Sequence, residues 1–408
     1  MEFKQTRLDN GLTLIAELTP PSASMAIGFF TRTGSRDETS EINGVSHFLE
    51  HMMFKGTARR TPFDVNREFD EIGANYNAFT SEENTVYYGA VLPEFQARIV
   101  DLLGDMLRPA LRQEDFDTEK NVILEEIALY EDKPHFRLYE KLMQEYFGSH
   151  PLGQIVLGTP DSIKALRREQ MLEYFSRRYS PTNITVVATG KLDWPALVDQ
   201  VQAACGHWVP MEAPRDLTPV QPVLASTNIL DAKLTRQHVG LMSPAPSAQS
   251  PQRYAAQLLS SVLGDDTGSR LYYALVETAI AEEASCSFDA MDGAGAMLTF
   301  LVTDPDQAAN ALAITRAEFA KFLQDGPTAA ELIAAKNKIA SASVLNGELP
   351  MGRLTAVGFE WMYRHSYTPL DKQIEELMAL TAEDVLNVAR QYELASAALL
   401  SLGPVEKI

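Results

Sequence analysis

The sequence predicts an α+β fold made of two related halves, because three pairs of segments in it correspond to each other. Each half has strand-like runs early and long helical segments later. The pairs are 158–163 with 367–371, 184–188 with 397–401, and Lys120-Asn121 with Lys336-Asn337. A fold with two similar halves explains why these segments recur in the same order.

A proline-rich stretch indicates where the two halves meet. Pro210, Pro214, Pro219 and Pro222 lie close together between the last helical segment of the first half and the strands of the second. Because proline interrupts both helices and sheets, such a stretch is typical of a connection. The predicted domains are therefore residues 1–212 and 213–408.

The composition is that of a globular protein with a strongly acidic balance. The 408 residues are 45% hydrophobic and 22% charged, with a formal net charge of −20. This charge disfavours nucleic acid as a partner, because no basic stripe offsets the repulsion from phosphates. Acidic residues that line a cavity would attract basic peptides, whereas charge spread over the surface for solubility explains most of these residues.

No segment of the chain has the features of a membrane span or a disulfide framework. No apolar run reaches the length that crosses a bilayer, and the N-terminal residues show no basic region followed by an apolar stretch. Cys205 and Cys286 are the only cysteines, which is too few for a disulfide scaffold. We expect no membrane association, two reduced thiols and a cytoplasmic location.

The run His47-Phe48-Leu49-Glu50-His51 predicts a metal centre. On a helix, positions i, i+3 and i+4 share one face, so both imidazoles can reach one zinc ion and the carboxylate can reach a water beside it. The order H-x-x-E-H inverts the commoner H-E-x-x-H and is the inverzincin signature. The motif therefore predicts a zinc metallopeptidase.

The residues around the motif favour a buried helix over a solvated one. Ser46 is a candidate N-cap, and Gly56 can end the helix in a left-handed turn. Apolar residues continue through the motif and beyond it, at Phe48, Leu49 and 52–54. Buried histidines and glutamates need partners, and a metal ion would supply them.

A catalytic zinc site needs a third protein ligand, and the segment 117–129 offers candidates. Its apolar residues fit a helix, on which Glu119 and Glu126 lie two turns apart on one face. Glu125 and Glu126 are neighbours, so only one of them can point the same way as Glu119. Spacing alone leaves that choice open, and by itself it favours an ordinary exposed acidic helix.

The run 44–57 (G-V-S-H-F-L-E-H-M-M-F-K-G-T), together with 77–80 and the 119–126 helix, closely resembles the pitrilysin family of zinc metallopeptidases. That family includes insulysin, the mitochondrial processing peptidases and their half-size bacterial relatives. The resemblance covers essentially the whole chain. It implies two homologous halves, each a mainly antiparallel sheet with helices packed on one side.

The resemblance also implies roles for individual residues. His47, His51 and Glu126 become ligands of one Zn²⁺ per chain, which selects Glu126 over Glu125. Glu50 becomes the general base and Glu119 a supporting carboxylate beside the site. These roles make residues 1–212 the zinc-binding catalytic domain. The second half has no H-x-x-E-H, and its repeat places alanines opposite both glutamates, so residues 213–408 become a metal-free domain. The resemblance implies that this domain completes a closed substrate chamber.

In the family, the region of Asn77 and Ala78 provides an edge strand that binds an extended substrate. The resemblance therefore implies a substrate-binding role for these two residues. Addition of a substrate strand to a sheet edge selects extended peptides or unfolded segments, because its main-chain hydrogen bonds need an extended partner. An ordinary strand is the alternative, since nothing in the residues themselves distinguishes the two.

The sequence departs from the family at one place. Many members carry an arginine in the second half and, seven residues later, a tyrosine that reaches the reacting carbonyl. Those positions are Val276 and Glu283 here. Arg270 belongs to the preceding segment and does not take over the missing role, and Tyr272 and Tyr273 are the nearest possible substitutes.

Two functions remain open from the sequence. The first is a zinc endopeptidase that works as a homodimer, or as a heterodimer with a related subunit that supplies the missing arginine and tyrosine. The second is a non-catalytic or weakly active subunit that binds peptides. The absent pair favours the second function, and the complete set of zinc and base residues favours the first.

Overall fold

A computed structural model describes residues 1–408. Its strands are β1 Glu2–Arg7, β2 Thr13–Leu18, β3 Met25–Thr31, β4 Asn75–Thr80, β5 Thr85–Val91, β6 Ile184–Gly190, β7 Ser226–Leu230, β8 Gln237–Pro244, β9 Glu283–Ala290, β10 Gly295–Thr303 and β11 Ala398–Gly403. Its helices are α1 Val45–Met53, α2 Pro62–Glu71, α3 Gln96–Met106, α4 Gln113–Glu131, α5 Pro134–Phe147, α6 Pro160–Ala165, α7 Arg168–Arg178, α8 Trp194–Cys205, α9 Arg253–Gly264, α10 Ala308–Asp325, α11 Ala329–Gly347, α12 Pro350–Arg364, α13 Leu370–Ala379 and α14 Ala382–Gln391. No helix is both long and apolar enough to cross a membrane.

The chain folds into two compact units, each of which takes one segment from the other half of the sequence. The first unit contains Met1–Ala128, Gln154–Asp216 and Leu345–Pro369. The second contains Leu129–Gly153, Leu217–Val344 and Leu370–Ile408. Helix α12 therefore belongs to the first unit and α5 to the second, although each lies in the other half of the sequence. The functional division at residue 212 stays a prediction.

The two units repeat one sheet topology. The first sheet has the strand order β1-β2-β6-β3-β5-β4, and the second has β7-β11-β8-β10-β9. Five strands of the first sheet thus match the second in both spatial and sequence order, and the parallel pair β2–β6 corresponds to the parallel pair β7–β11. All other pairs are antiparallel. The predicted α+β class with two related halves is confirmed.

The predicted pairing of Lys120 with Lys336 has the same hydrogen bonds in both units. Lys120 donates to the carbonyl of Lys164 at 3.1 Å and to that of Leu166. Lys336 donates to the carbonyl of Met378 at 2.8 Å and to that of Leu380. In each unit a long helix is therefore tied to the turn that precedes the next helix, and the contact recurs with the repeat.

Each sheet is covered on both faces. On the first sheet, α12 packs against Phe30, Val86 and Val187, while α3 packs on the opposite face. On the second sheet, α5 packs against β8 and β11, and α9 and α14 belong to the core on the other side. The exchanged helices α12 and α5 thus add a layer beyond the predicted helices on one side. Because both faces are buried, every residue of β3 and β6 is buried.

A buried ion pair fixes α12 to the first sheet. Arg353 of α12 donates to both carboxylate oxygens of Glu17 on β2, at 2.7 and 2.5 Å, and Tyr367 donates to the same carboxylate at 2.8 Å. The side chains of Glu17 and Arg353 are 0% and 4% exposed. Removal of one partner would leave a buried charge without compensation.

We expect Arg353→Met to lower the free energy of unfolding by about 3–5 kcal/mol, because Glu17 would stay buried and unpaired. The double variant Glu17→Leu/Arg353→Met should regain most of this loss, since it removes both charges. Urea unfolding followed by circular dichroism measures both effects. Arg67→Met, which breaks an exposed pair on α2, is the control and should unfold like the wild type. A double variant that is as unstable as the single one would contradict this explanation.

Candidate metal centre

Helix α1 is held by its apolar face against the first sheet. Seven of its nine residues are buried, and Phe48 stacks on Phe116 of α4 with ring centroids 4.8 Å apart. The helix also contacts β4, β5 and α7. The apolar residues of the motif thus bury one face of α1, and His47, Glu50 and His51 lie together on another face of this helix.

Glu38 caps the N-terminus of α1, a role that the sequence had suggested for Ser46. The Glu38 carboxylate accepts hydrogen bonds from the backbone N–H of Gly44 at 2.6 Å and from that of Ser46 at 2.7 Å. The helix begins at Val45, so Ser46 lies inside its first turn and its hydroxyl bonds to Tyr174 instead. Burial raises the pKa of Glu38 to about 8. The cap assignment to Ser46 was wrong because a carboxylate from a preceding loop occupies that place.

The C-terminal end of α1 also differs slightly from the expectation. The helix ends at Met53, and Gly56 follows with φ of +88°. Gly56 does adopt the left-handed conformation, but three residues after Met53, in the loop that follows the helix. A Cβ atom at this glycine would lie 2.5 Å from the Arg60 carbonyl oxygen, so the turn requires glycine.

Three donor atoms converge on one point beside α1. Nε2 of His47 lies 3.7 Å, and Nε2 of His51 lies 3.4 Å, from Oε2 of Glu126 on α4. The ligand atoms of these three residues all lie within 4.8 Å of one another. Glu125 is exposed on the same helix and is not part of this group. The structure thus brings together the three residues predicted as zinc ligands.

The geometry and chemistry of these donors fit Zn²⁺. Ligands at about 2.0–2.1 Å in a tetrahedral arrangement lie about 3.3 Å apart, close to the two distances at Glu126. Two imidazoles and one carboxylate are a donor set of zinc hydrolases, and they leave the fourth position for water. The residues present therefore suit a catalytic zinc and need only small shifts to bind it.

Glu119 orients His51 from the side opposite Glu126. Its Oε1 lies 2.8 Å from Nδ1 of His51, and its Oε2 lies 2.6 Å from Nζ of Lys55. A carboxylate on the second ring nitrogen fixes the tautomer of a metal-binding histidine and increases its basicity. Glu119 is thus placed to support His51, and its role as a supporting carboxylate stays a prediction. Nδ1 of His47, by contrast, is buried without a hydrogen-bond partner.

The two histidines differ strongly in their affinity for a proton. Burial lowers the pKa of His47 to about 4. Burial also disfavours the charged form of His51, but hydrogen bonds to Glu119 and Glu126 outweigh it and raise its pKa to about 9. Without a metal ion, a proton on His51 therefore compensates the two carboxylates, and a bound cation would replace that proton.

Glu50 lies one turn after His47 and is held by a threonine from the sheet. Thr80 at the end of β4 donates a hydrogen bond of 2.6 Å to Oε2 of Glu50. Burial raises the pKa of Glu50 above its usual value, although the hydrogen bond from Thr80 acts in the opposite direction. A carboxyl group with a raised pKa is suited to accept and return a proton near neutral pH.

Asn77 and Ala78 lie on the edge strand that leads to Thr80. Strand β4 pairs only with β5, so its other edge is free of sheet partners. Asn77 is exposed and Ala78 is buried, opposite Tyr88 and Tyr87 respectively. The structure places an open sheet edge directly beside the residue that holds Glu50. The substrate-binding role of Asn77 and Ala78 stays a prediction.

The second unit offers no counterpart of the metal centre or of the missing arginine–tyrosine pair. Val276 ends a short π-helical turn and packs against the core of that unit, and Glu283 is the exposed first residue of β9. Arg270 is engaged by Glu331 at 2.8 Å. Tyr272 donates to Glu277, which leaves Tyr273, 60% exposed, as the accessible aromatic side chain of this segment.

Both cysteines are free and buried.

Three residues that support the site were not identified from the sequence: Glu38, Lys55 and Thr80. Each is remote in sequence from the group that it contacts or carries no spacing signal of its own. The short interval between Glu38 and the motif was the only local clue, because a carboxylate just before a helix is a common capping partner.

Two family models match most of the chain. The model described as "Insulinase (Peptidase family M16)" matches residues 13–160, and "Peptidase M16 inactive domain" matches residues 165–339. The "uncharacterized zinc protease" SCO5738 of Streptomyces coelicolor is 30% identical, over 99% of this chain and 90% of that protein. The "uncharacterized zinc protease" YmxG of Bacillus subtilis is 30% identical, over 98% of both chains.

Solved structures share the fold at lower sequence identity. A protease from Helicobacter pylori has a TM-score of 0.93 at 19% identity and covers 99% of both chains. A protein from Pseudomonas fluorescens described as a peptidase M16 inactive domain has a TM-score of 0.90 at 19% identity, over 100% of this chain and 99% of that one.

We expect Glu126→Ala to weaken zinc binding more than about 100-fold, because it removes one of three protein donors. Glu125→Ala removes the same group from an exposed neighbouring position and should leave zinc binding unchanged. Metal content after dialysis, measured by mass spectrometry, separates the two variants. Equal zinc occupancy in wild type and Glu126→Ala would show that another residue is the third ligand.

Zinc affinity should increase with pH until about pH 9. Because the pKa of His51 is raised to about 9, zinc must displace one proton below that value, and its affinity should rise about tenfold per pH unit there. His47 is already neutral above about pH 5 and adds no slope. Competition with a chromophoric chelator at several pH values measures the slope. An affinity independent of pH between about 6.5 and 8.5 would contradict the assignment of the proton to His51.

Proposed function

Because the chain belongs to the insulinase family of peptidases, peptidase family M16, we propose that it is a zinc-dependent endopeptidase. Its substrates would be peptides or unfolded protein segments. The observation that carries this proposal is the convergence of His47, His51 and Glu126 beside Glu50, with the three donors within 4.8 Å of one another. The relatives named zinc proteases support the metal and the reaction class.

His47, His51 and Glu126 would hold one Zn²⁺. A zinc ion in such a site lowers the pKa of water and polarises a carbonyl group. Glu119 keeps the ring of His51 directed at the site through the 2.8 Å contact, and Lys55 balances the charge of Glu119. A rigid donor set of this kind holds the reacting groups in place before the substrate arrives.

Glu50 would act as the general base and then as the general acid. It takes a proton from the attacking water and delivers it to the leaving amine, so that the C–N bond breaks and the peptide nitrogen leaves as a neutral amine. Thr80 restrains one oxygen of Glu50 and leaves the other to exchange the proton. Burial raises the pKa of Glu50, which favours uptake of the proton from water.

The open edge of β4 would bind the substrate as an added strand. Asn77 and Ala78 lie on this edge, and Thr80 at its end contacts Glu50. An extended peptide paired with β4 would therefore run toward the base. We propose that this pairing selects unfolded segments, and that they are cleaved inside a closed chamber.

The absence of the family's arginine and tyrosine at Val276 and Glu283 leaves the tetrahedral intermediate with fewer donors. Loss of one such donor typically costs about 3 kcal/mol, roughly a hundredfold in rate. We propose that the protein works as a dimer, either with a second copy of itself or with a related subunit that carries the pair.

We expect Glu50→Gln to retain zinc and to lose activity by about 10²–10⁴-fold, because the amide cannot accept the proton. Hydrolysis of a set of short, basic, quenched-fluorescent peptides by the purified chain measures this, with and without a zinc chelator. Glu125→Gln is the matched control and should keep full activity. Full activity in zinc-loaded Glu50→Gln would exclude Glu50 as the base.

The same assay distinguishes the proposed peptidase from a peptide-binding subunit. Cleavage by the wild type that the chelator abolishes supports an enzyme active on its own. A zinc-loaded wild type that cleaves none of the peptides would favour a non-catalytic role or a required heteropartner.

A further inference from the structure

A cavity in the first unit lies between α3 and α8, apart from the metal centre. Its volume is about 330 Å³, at the small end of the range for ligand pockets. Small side chains of the two helices, including Ala97, Ala203 and Ala204, form part of its wall. Arg108 and Trp208 form another part, so the cavity combines apolar surface with a cation.

Arg108 is the unusual group of this cavity because its charge has no ionic partner. The guanidinium donates to the backbone carbonyls of Leu107 at 2.6 Å and Tyr179 at 3.2 Å, and it makes no ion pair. It stacks on Trp208, with its central carbon 3.6 Å from the ring centroid. Two of the five N–H groups of Arg108 thus donate hydrogen bonds, and one face of its guanidinium contacts Trp208.

Three fully buried arginines of this unit are paired with carboxylates. Arg36 contacts Glu83 at 2.6 Å, Arg178 contacts Asp37 at 2.8 Å, and Arg353 binds Glu17. The unit therefore compensates enclosed charges elsewhere. Arg108 is half-buried without such compensation, and burial lowers its pKa to about 10. A cation in this position is stabilised by any anion that enters the cavity.

The acidic groups near the cavity do not serve as that anion. Asp101 and Asp105 line the cavity, but Arg59 and Arg60 bind both of them. The nearby Cys205 thiol stays neutral, because burial raises its pKa to about 12. The counter-charge of Arg108 is thus missing from the chain itself.

We propose that this cavity binds a small organic monocarboxylate, with the carboxylate on Arg108 and the apolar part against the alanines of α3 and α8. A guanidinium placed over an indole keeps N–H groups that can bind a planar carboxylate in two-point geometry. Because Arg59 and Arg60 already balance Asp101 and Asp105, Arg108 leaves one positive charge to compensate, so a monoanion is favoured over a dianionic phosphate. This site is separate from the proposed peptidase chemistry and does not depend on it.

Calorimetric titration of the full-length protein with benzoate tests the proposal. Benzamide, a neutral molecule of almost the same shape, and inorganic phosphate are titrated beside it. We expect benzoate to bind at millimolar or lower concentration. Benzamide and phosphate should bind at least about tenfold more weakly, because benzamide lacks the negative charge and phosphate lacks the apolar ring.

Two variants probe the site independently. Arg108→Gln removes the cation, and Ala203→Phe fills the cavity from an exposed position of α8 without altering Arg108. Each should weaken benzoate binding about tenfold or more. Arg98→Gln makes the same charge change on α3 outside the cavity and should leave the affinity unchanged. Circular dichroism establishes that each variant is folded.

Three results would overturn the proposal. Wild-type protein that does not bind benzoate at millimolar concentration has no carboxylate site here. Benzoate affinity that is the same in folded Ala203→Phe as in the wild type places any binding elsewhere. Benzamide or phosphate that binds as tightly as benzoate shows that the cavity does not recognise a monocarboxylate.

Discussion

The fixed position of α1 against the first sheet is the constraint on which the metal centre depends. Two of the three donors and the proposed base lie on this single helix of nine residues. A short helix of this length is not stable alone, so its packing on β4, β5 and α4 determines where the histidines point. Phe48 and Phe116 join α1 to the helix that carries Glu126, and this apolar contact contributes to the spacing of ligands on the two helices.

Buried polar groups hold both ends of α1 in place. At the N-terminus, Glu38 accepts two backbone N–H groups, and Ser46 and Thr33 both bond to the Tyr174 hydroxyl. Near the C-terminus, Lys55 and Glu119 connect the following loop to His51. Burying such groups is costly unless each has a partner, and a satisfied network permits only one arrangement. Such a network is consistent with a site whose donor atoms must keep their positions before a metal binds.

The repeat shows which features belong to the fold and which belong to the chemistry. Both units share the strand order and the lysine–carbonyl contacts of Lys120 and Lys336. In the second unit, Ala335 occupies the place that corresponds to Glu119 and is buried in the core. The repeated architecture therefore forms without a carboxylate at this position in the second unit.

The sequence by itself determined the local features of this protein: the repeat, the α+β class, the strands near 184–188 and 397–401, and the H-x-x-E-H helix. These features depend on spacing between near neighbours, and helix geometry places i, i+3 and i+4 on one face wherever the helix lies. Spacing left Glu125 and Glu126 equivalent, and only the resemblance to a family selected one of them.

Only the tertiary structure decided which distant groups meet. It turned Glu126 toward the histidines, set Thr80 on Glu50, and moved α12 from the second half of the sequence onto the first sheet. These contacts join residues that are separated along the chain by up to several hundred positions. No local pattern encodes them, because they result from how complete sheets and helices bury their faces against each other.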